Sequence, residues 1–129
     1  MELVAIALTG ALVWLCALAQ NLTHAIRLGP KFVMSDRSAA PSEDGFAGRA
    51  ARTLRNHLES SAMFVPVALA VVLLHKTSVV TGYCAIIYIA ARGLFTLFYW
   101  LGFSMARSTA WTLGMACIAV LFAKSMLPM

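Results

Sequence analysis

Read from its first residue, the chain is a succession of long apolar runs broken at three places by polar residues. The first run covers residues 3–26 and stops at Gly29-Pro30, a pair that cannot carry a helical hydrogen-bond ladder forward. A hydrophilic stretch follows, in which Asp36, Arg37, Pro41, Ser42, Glu43, Asp44 and Gly45 have the composition of a solvated loop. The second run is uniformly apolar only over residues 62–74. That is too short to cross a hydrocarbon core of roughly 30 Å, so the polar residues before it must belong to the same helix. The pattern therefore predicts a second helix over residues 46–74, with Ser42 or Asp44 as candidate N-cap and a kink at Pro66. After His75-Lys76-Thr77 it predicts a third helix over 78–103 and, past a short link at 104–107, a fourth over 108–127.

Composition supplies the solvent. Hydrophobic residues make up 61% of the 129 and charged residues 12%, against about 25% charge in soluble domains. With a mean hydropathy of +0.83, the chain is expected to fold in a bilayer as an all-α membrane protein. Four spans use the whole length, so residues 1–129 form one domain with a loop at 27–45. Short links force antiparallel neighbours, which gives an up-down-up-down bundle. The first run lacks a basic leader, opens with Glu2 and is long enough to span, so it reads as a retained helix rather than a signal peptide.

The net charge of +5 is carried by basic residues scattered among apolar runs, which fits membrane topology and an anionic small ligand better than nucleic acid. Arg27, Lys31, Arg37, Arg49, Arg52 and Arg55 flank the first loop and Arg107 the third link, whereas Lys76 and Lys124 mark the other side. The positive-inside rule then puts the 27–45 loop in the cytoplasm and both termini outside.

Ionisable groups inside a span are costly, and each is a functional hypothesis with a partner to be named. Arg52, Asn56 and Glu59 recur at i, i+4 and i+7 and share one helical stripe, with Arg55 beside it. An Arg55–Glu59 pair, with Arg49 and Arg52 reaching for headgroups, accounts for the charges but not for Asn56 or the depth of Glu59. Arg92 lies near the middle of the third helix and needs a carboxylate or a polar cavity; Glu59, the membrane-embedded acid, is the expected partner. Tyr99 follows at i+7 from Arg92, with Phe95 between them. Arg107 reads either as a topology marker or as a ligand group, with Ser108 and Thr109 capping the fourth helix.

The remaining candidates have blander readings. Cys16, Cys84 and Cys117 lack metal-ligand spacing and read as small core residues; no metal is expected. His24, His57 and His75 read as membrane-interface positions, and Trp14, Trp100 and Trp111 as packing or anchoring groups. Gly82, Gly93, Gly102 and Gly114 are expected to let helices approach closely.

The sequence Arg52-Thr-Leu-Arg55-Asn56-His57-Leu58-Glu59 followed by Met63-Phe64 resembles the signature of the MAPEG family, the membrane-associated proteins in eicosanoid and glutathione metabolism. Arg92, Phe95, Tyr99, Gly102 and Arg107 fall at spacings similar to those of bacterial members, and the resemblance covers nearly the whole chain. It implies a homotrimer of four-helix subunits, in a bacterial inner membrane, that binds glutathione between neighbouring subunits. By matched position, Arg52, Arg55, Asn56 and Glu59 hold the peptide part of glutathione, Tyr99 and Arg107 close the site, and Arg92 supports it. Arg107 matches the arginine that holds the thiolate, Ser108 a site serine of the prostaglandin synthase branch, and Arg27 another glutathione-contacting arginine. The chain departs from some eicosanoid-making members at Phe95, where they carry a polar residue, and at Ser60-Ser61-Ala62, where bulkier residues are often seen.

The residue set suits such a ligand on physical grounds. Glutathione carries two carboxylates, an ammonium and a thiol, and asks for several guanidinium forks, an acid and a cation that favours the thiolate. The leading expectation is a glutathione-dependent transferase or peroxidase acting on lipophilic electrophiles that arrive through the membrane lipids. The alternative is a non-catalytic scaffold or lipid-binding trimer; a transporter is disfavoured because the charged face does not extend across the membrane.

Overall fold

The computed structural model describes residues 1–36 and 44–127. Among them it contains α1 (Glu2–Leu28), α2 (Pro30–Val33), α3 (Gly45–Leu73), α4 (Val79–Leu101) and α5 (Ser104–Met126), and no strand. All but the single-turn α2 are long and apolar enough to cross a membrane. Large side chains such as Trp14, 65% exposed, cover the outside of the bundle. Such a surface is an aggregation hazard in water and an ordinary one in lipid, so the chain is an integral, multi-pass membrane protein.

Helix ends follow local chemistry. Gly29, with φ of 82°, closes α1 by donating its N–H to Ala25 O, and Pro30 then starts α2. The loop expected from residue 27 therefore opens with an extra helical turn. Asp44 occupies the N-cap position of α3 without a capping bond, while Ser42 lies outside the described residues. Helix α3 continues through Pro66 and ends where His75 takes a φ of 57°. His75 N–H then reaches Val72 O and Lys76 N–H reaches Val71 O, the paired bonds of a Schellman motif.

The α4–α5 link differs from expectation. Gly102 adopts φ of 86° and ψ of 14°, and the bonds Gly102 N to Tyr99 O and Phe103 N to Phe98 O complete a second Schellman motif. One glycine and one phenylalanine suffice to reverse the chain, so α5 begins at Ser104 rather than at 108. Arg107 and Ser108 thus lie inside its first turns. Ser108 Oγ donates to Ser104 O and Thr109 Oγ1 to Met105 O, so neither residue caps the helix.

Helix α1 packs along α3 and α4, α5 along α4 and α3, and α3 also meets α4 across the bundle. Without a hydrophobic force between helices in lipid, association depends on close approach. The apolar core, at the end holding the N-terminus, accordingly mixes Ala5, Ala68, Ala85 and Cys117 with Phe64, Val71, Tyr88 and Leu121. The Phe64 and Tyr88 rings stack there at 3.8 Å and 9°. Gly114 brings α5 against Arg92 and Tyr88, and Gly82 admits the Met1 side chain. Gly93 faces open space and permits no approach, contrary to expectation, because it lies on the outer side of α4.

This terminal end is tied by polar contacts. Ser78 and Thr81 form a capping box on α4, Thr81 Oγ1 donates to Glu2 Oε1 at 2.6 Å, and Lys76 Nζ donates to Ser125 O and Leu127 O.

Candidate functional site

The opposite half of the bundle has a polar interior. Along α3 the buried residues Ala50, Thr53, His57, Ser60, Phe64, Ala68 and Val71 advance by three or four and form its inward stripe. The stripe of Arg52, Asn56 and Glu59 lies one residue, hence about 100°, round the helix from it. It sits at the edge of the bundle: Arg52 and Glu59 are exposed and Asn56 is half-buried.

Arg92 is fully buried opposite the inward stripe. Its Nη2 donates to Asn56 Oδ1 at 2.9 Å and meets His57 Nδ1 at 3.1 Å. His57 Nε2 contacts Thr96 Oγ1 at 2.7 Å, and Thr96 Oγ1 donates to Arg92 O. The guanidinium also stacks 4.3 Å from the Phe95 centroid, while its Nε and Nη1 find no hydrogen-bond partner among the described residues.

Two sequence expectations change here. Arg92 does not pair with Glu59: Glu59 is exposed on α3, and the Arg92 guanidinium bonds Asn56 and meets His57 instead. His57 is not an interface residue but the centre of the buried network, 1% exposed. His24 is buried as well, its ring edge-on to Phe32 at 6.0 Å, because α2 folds back over the end of α1. His75 is exposed at the end of α3.

Toward the basic end the interior opens. A cavity of about 460 Å³ is lined by Asn56, Phe95, Tyr99, Arg107, Ser108, Trp111 and Thr112. A second, of about 310 Å³, is lined by Gly45, Arg49, Arg52, Phe98, Tyr99, Gly102, Phe103 and Arg107. Tyr99 and Arg107 form the wall common to both, and the Arg107 guanidinium lies 4.6 Å over the Tyr99 ring. Arg49 Nε donates to Trp100 O at 3.1 Å, which holds that arginine against the end of α4. Three guanidinium groups thus line the smaller cavity, with no carboxylate side chain among the described residues that line it, a setting for an anion.

The structure brings together Arg52, Asn56, Tyr99, Arg107 and Ser108 along these two cavities, with Arg92 directly behind Asn56. It does not bring in Arg27, Arg55 or Glu59. Arg27 donates to Asp44 O at 3.2 Å and ties the end of α1 to the start of α3. Arg55 and Glu59 are exposed on α3 and make no ion pair with each other among the described residues. Sequence reasoning missed Arg49, Trp111 and Thr112 as lining residues and His57 and Thr96 as network members. The helical spacing of His57 with Thr53, Ser60 and Phe64 was the signal the sequence offered, but spacing alone does not say which face turns inward.

Among protein families, the model of the MAPEG family matches residues 1–127. No curated protein and no solved structure matches the chain.

Proposed function

Because this chain belongs to the MAPEG family of membrane proteins, we propose that it is a glutathione-dependent transferase or peroxidase acting on lipophilic electrophiles. The observation that carries this reading is the position of Arg107, stacked on Tyr99 where an arginine-lined cavity meets a second one walled by Asn56, Ser108 and Trp111. Arg49 and Arg52 suit the carboxylates of the tripeptide. Arg107 suits the sulfur: a cation beside a thiol raises the thiolate fraction at neutral pH, and the thiolate is the nucleophile. In a transfer reaction the thiolate forms a carbon–sulfur bond to the electrophile, which expels its leaving group or takes up a proton.

The ammonium of glutathione needs an acid, and Glu59 is the embedded candidate. It stands on the exposed face of α3, outside both cavities of its own subunit. A second copy that sets this face against the α4–α5 cleft of its neighbour completes the ligand set and removes Arg55 and Glu59 from lipid. The proposed assembly is the homotrimer that the family resemblance implies, with the basic end in the cytoplasm, both termini outside, and electrophiles entering sideways from the membrane lipids.

The test is addition of glutathione to the purified protein, read by thiolate ultraviolet absorbance and by thermal unfolding. The reading expects the thiolate band, and glutathione at 100 times its dissociation constant adds about 2.7 kcal/mol of stability. Absence of both signals overturns it and leaves a non-catalytic scaffold.

A further inference from the structure

The hydrogen bonds around Arg92 fix which way the Asn56 amide faces. A guanidinium nitrogen can only donate. The Asn56 atom 2.9 Å from Arg92 Nη2 is therefore Oδ1, and the reversed amide would set one N–H against another. By the same rule the His57 nitrogen 3.1 Å from Nη2 carries no proton. The imidazole proton sits on Nε2, where Thr96 Oγ1 accepts it at 2.7 Å, while the Thr96 hydroxyl gives its own proton to Arg92 O at 3.1 Å. Nη2 has two protons, one for each acceptor. Asn56 is half-buried and lines the larger cavity, so with Oδ1 turned inward its amide nitrogen is the end left for the cavity.

We propose that His57 is a positioning residue which, by holding Arg92, presents the Asn56 amide nitrogen to the cavity as a hydrogen-bond donor. The inner wall then selects a ligand group that only accepts, a carboxylate or a thiolate. The bond from the buried guanidinium to Oδ1 polarises the amide and strengthens its N–H as a donor. Tautomer and amide orientation stand on geometry alone; the ligand selectivity rests on the glutathione reading above.

Two measurements decide it. The first is ¹⁵N NMR of histidine-labelled protein in lipid nanodiscs, with the His57 signals assigned by their loss in His57→Gln. The expected state is the neutral Nε2–H tautomer, with or without glutathione; the Nδ1–H tautomer overturns the proposal. The second is a cycle of glutathione dissociation constants for Asn56→Ala, His57→Leu and the double variant. His57→Leu weakens binding about tenfold in the parent and adds nothing once Asn56 is alanine. His57→Gln, whose amide offers a donor and an acceptor on one plane, stays within about threefold. A purely structural role predicts equal losses in both backgrounds and no rescue by glutamine, and either result overturns the proposal. If His57→Leu fails to fold, the glutamine variant and the tautomer decide. If the parent protein binds no glutathione, the glutathione reading and the selectivity fall together, and the tautomer alone decides whether His57 orients Asn56.

Discussion

The Arg107 guanidinium rests 4.6 Å from the centroid of the Tyr99 ring, on the wall that two cavities share. Stacking holds the charge in place, and the Arg107 side chain makes no hydrogen bond to another described residue that would compete with a ligand. On the proposed function, Arg107→Ala should remove the thiolate absorbance expected on adding glutathione while leaving the carboxylate binding assigned to Arg49 and Arg52. Arg107→Lys keeps the charge without the planar fork and should give an intermediate signal. The check is difference spectroscopy at saturating glutathione; a full-size band in the alanine variant removes the role given to Arg107.

Tyr99 acts in this arrangement through its ring face. Tyr99→Phe should keep the thiolate signal, because a phenyl face also attracts a cation. Tyr99→Leu should weaken it by the value of a cation–π contact, about 0.5–2 kcal/mol. Glutathione titrations of both variants separate ring from hydroxyl: equal losses would show that the hydroxyl, not the face, matters.

How much of this was legible in the sequence depends on what each residue's neighbours reveal. The four spans were, because a bilayer imposes length and apolarity on each helix separately. The polar stripe of Arg52, Asn56 and Glu59 was legible as an exception to that rule, but not its orientation. Periodicity places it on one face without saying that the inward face is the adjacent one, carried by Thr53, His57 and Ser60. The error over Arg92 has the same root. An arginine within a span asks for a carboxylate or a polar cavity, and Glu59 is the embedded acid the sequence offers, whereas amide and imidazole acceptors on a neighbouring helix take that place. The start of α5 was missed because a two-residue reversal depends on the left-handed conformation of Gly102, and a glycine in an apolar run looks the same whether it packs or turns.

That turn gives a prediction on stability. A Cβ at Gly102 meets nothing within 4 Å, so the cost of Gly102→Ala is conformational, about 1–2 kcal/mol for holding an L-residue at positive φ. Gly93→Ala is also unobstructed but helical, and should be neutral or stabilising by up to about 1 kcal/mol. Reversible unfolding in mixed detergent should rank them in that order. The Gly102 variant should in addition lose glutathione affinity, since Tyr99 and Arg107 flank the turn.

At the far end, Lys76 Nζ donates to Ser125 O at 2.7 Å, in the last turn of α5, and to Leu127 O at 2.8 Å just past it, supplying a donor where the helix's own hydrogen bonds run out. Lys76→Met should destabilise the bundle by about 1–2 kcal/mol and leave glutathione binding unchanged, because the candidate site lies at the other end. Lys124, in the last turn of α5, makes no hydrogen bond from its side chain to another described residue, so Lys124→Met should move the unfolding midpoint little. Equal shifts for the two lysines would mean that charge at this end, rather than the bonds of Lys76, supplies the stability.

The exposed face of α3 bears on assembly. Arg55 and Glu59 sit on a membrane-spanning helix, exposed in the single chain, and do not pair with each other. A charge facing lipid at a helix centre costs about 2.5–3.5 kcal/mol on insertion scales. If neighbouring copies cover this face through polar contacts, replacing both residues by leucine removes those contacts and should shift native mass spectra of the detergent-solubilised protein from three copies toward one. Glu59→Lys, which turns an acid into a base among arginines, should do the same more strongly. If the face meets lipid instead, the double leucine variant loses two unfavourable charges and should be more stable, with its copy number unchanged. The direction of the stability change therefore decides between the two arrangements, because removing the same two charges raises it in one and lowers it in the other.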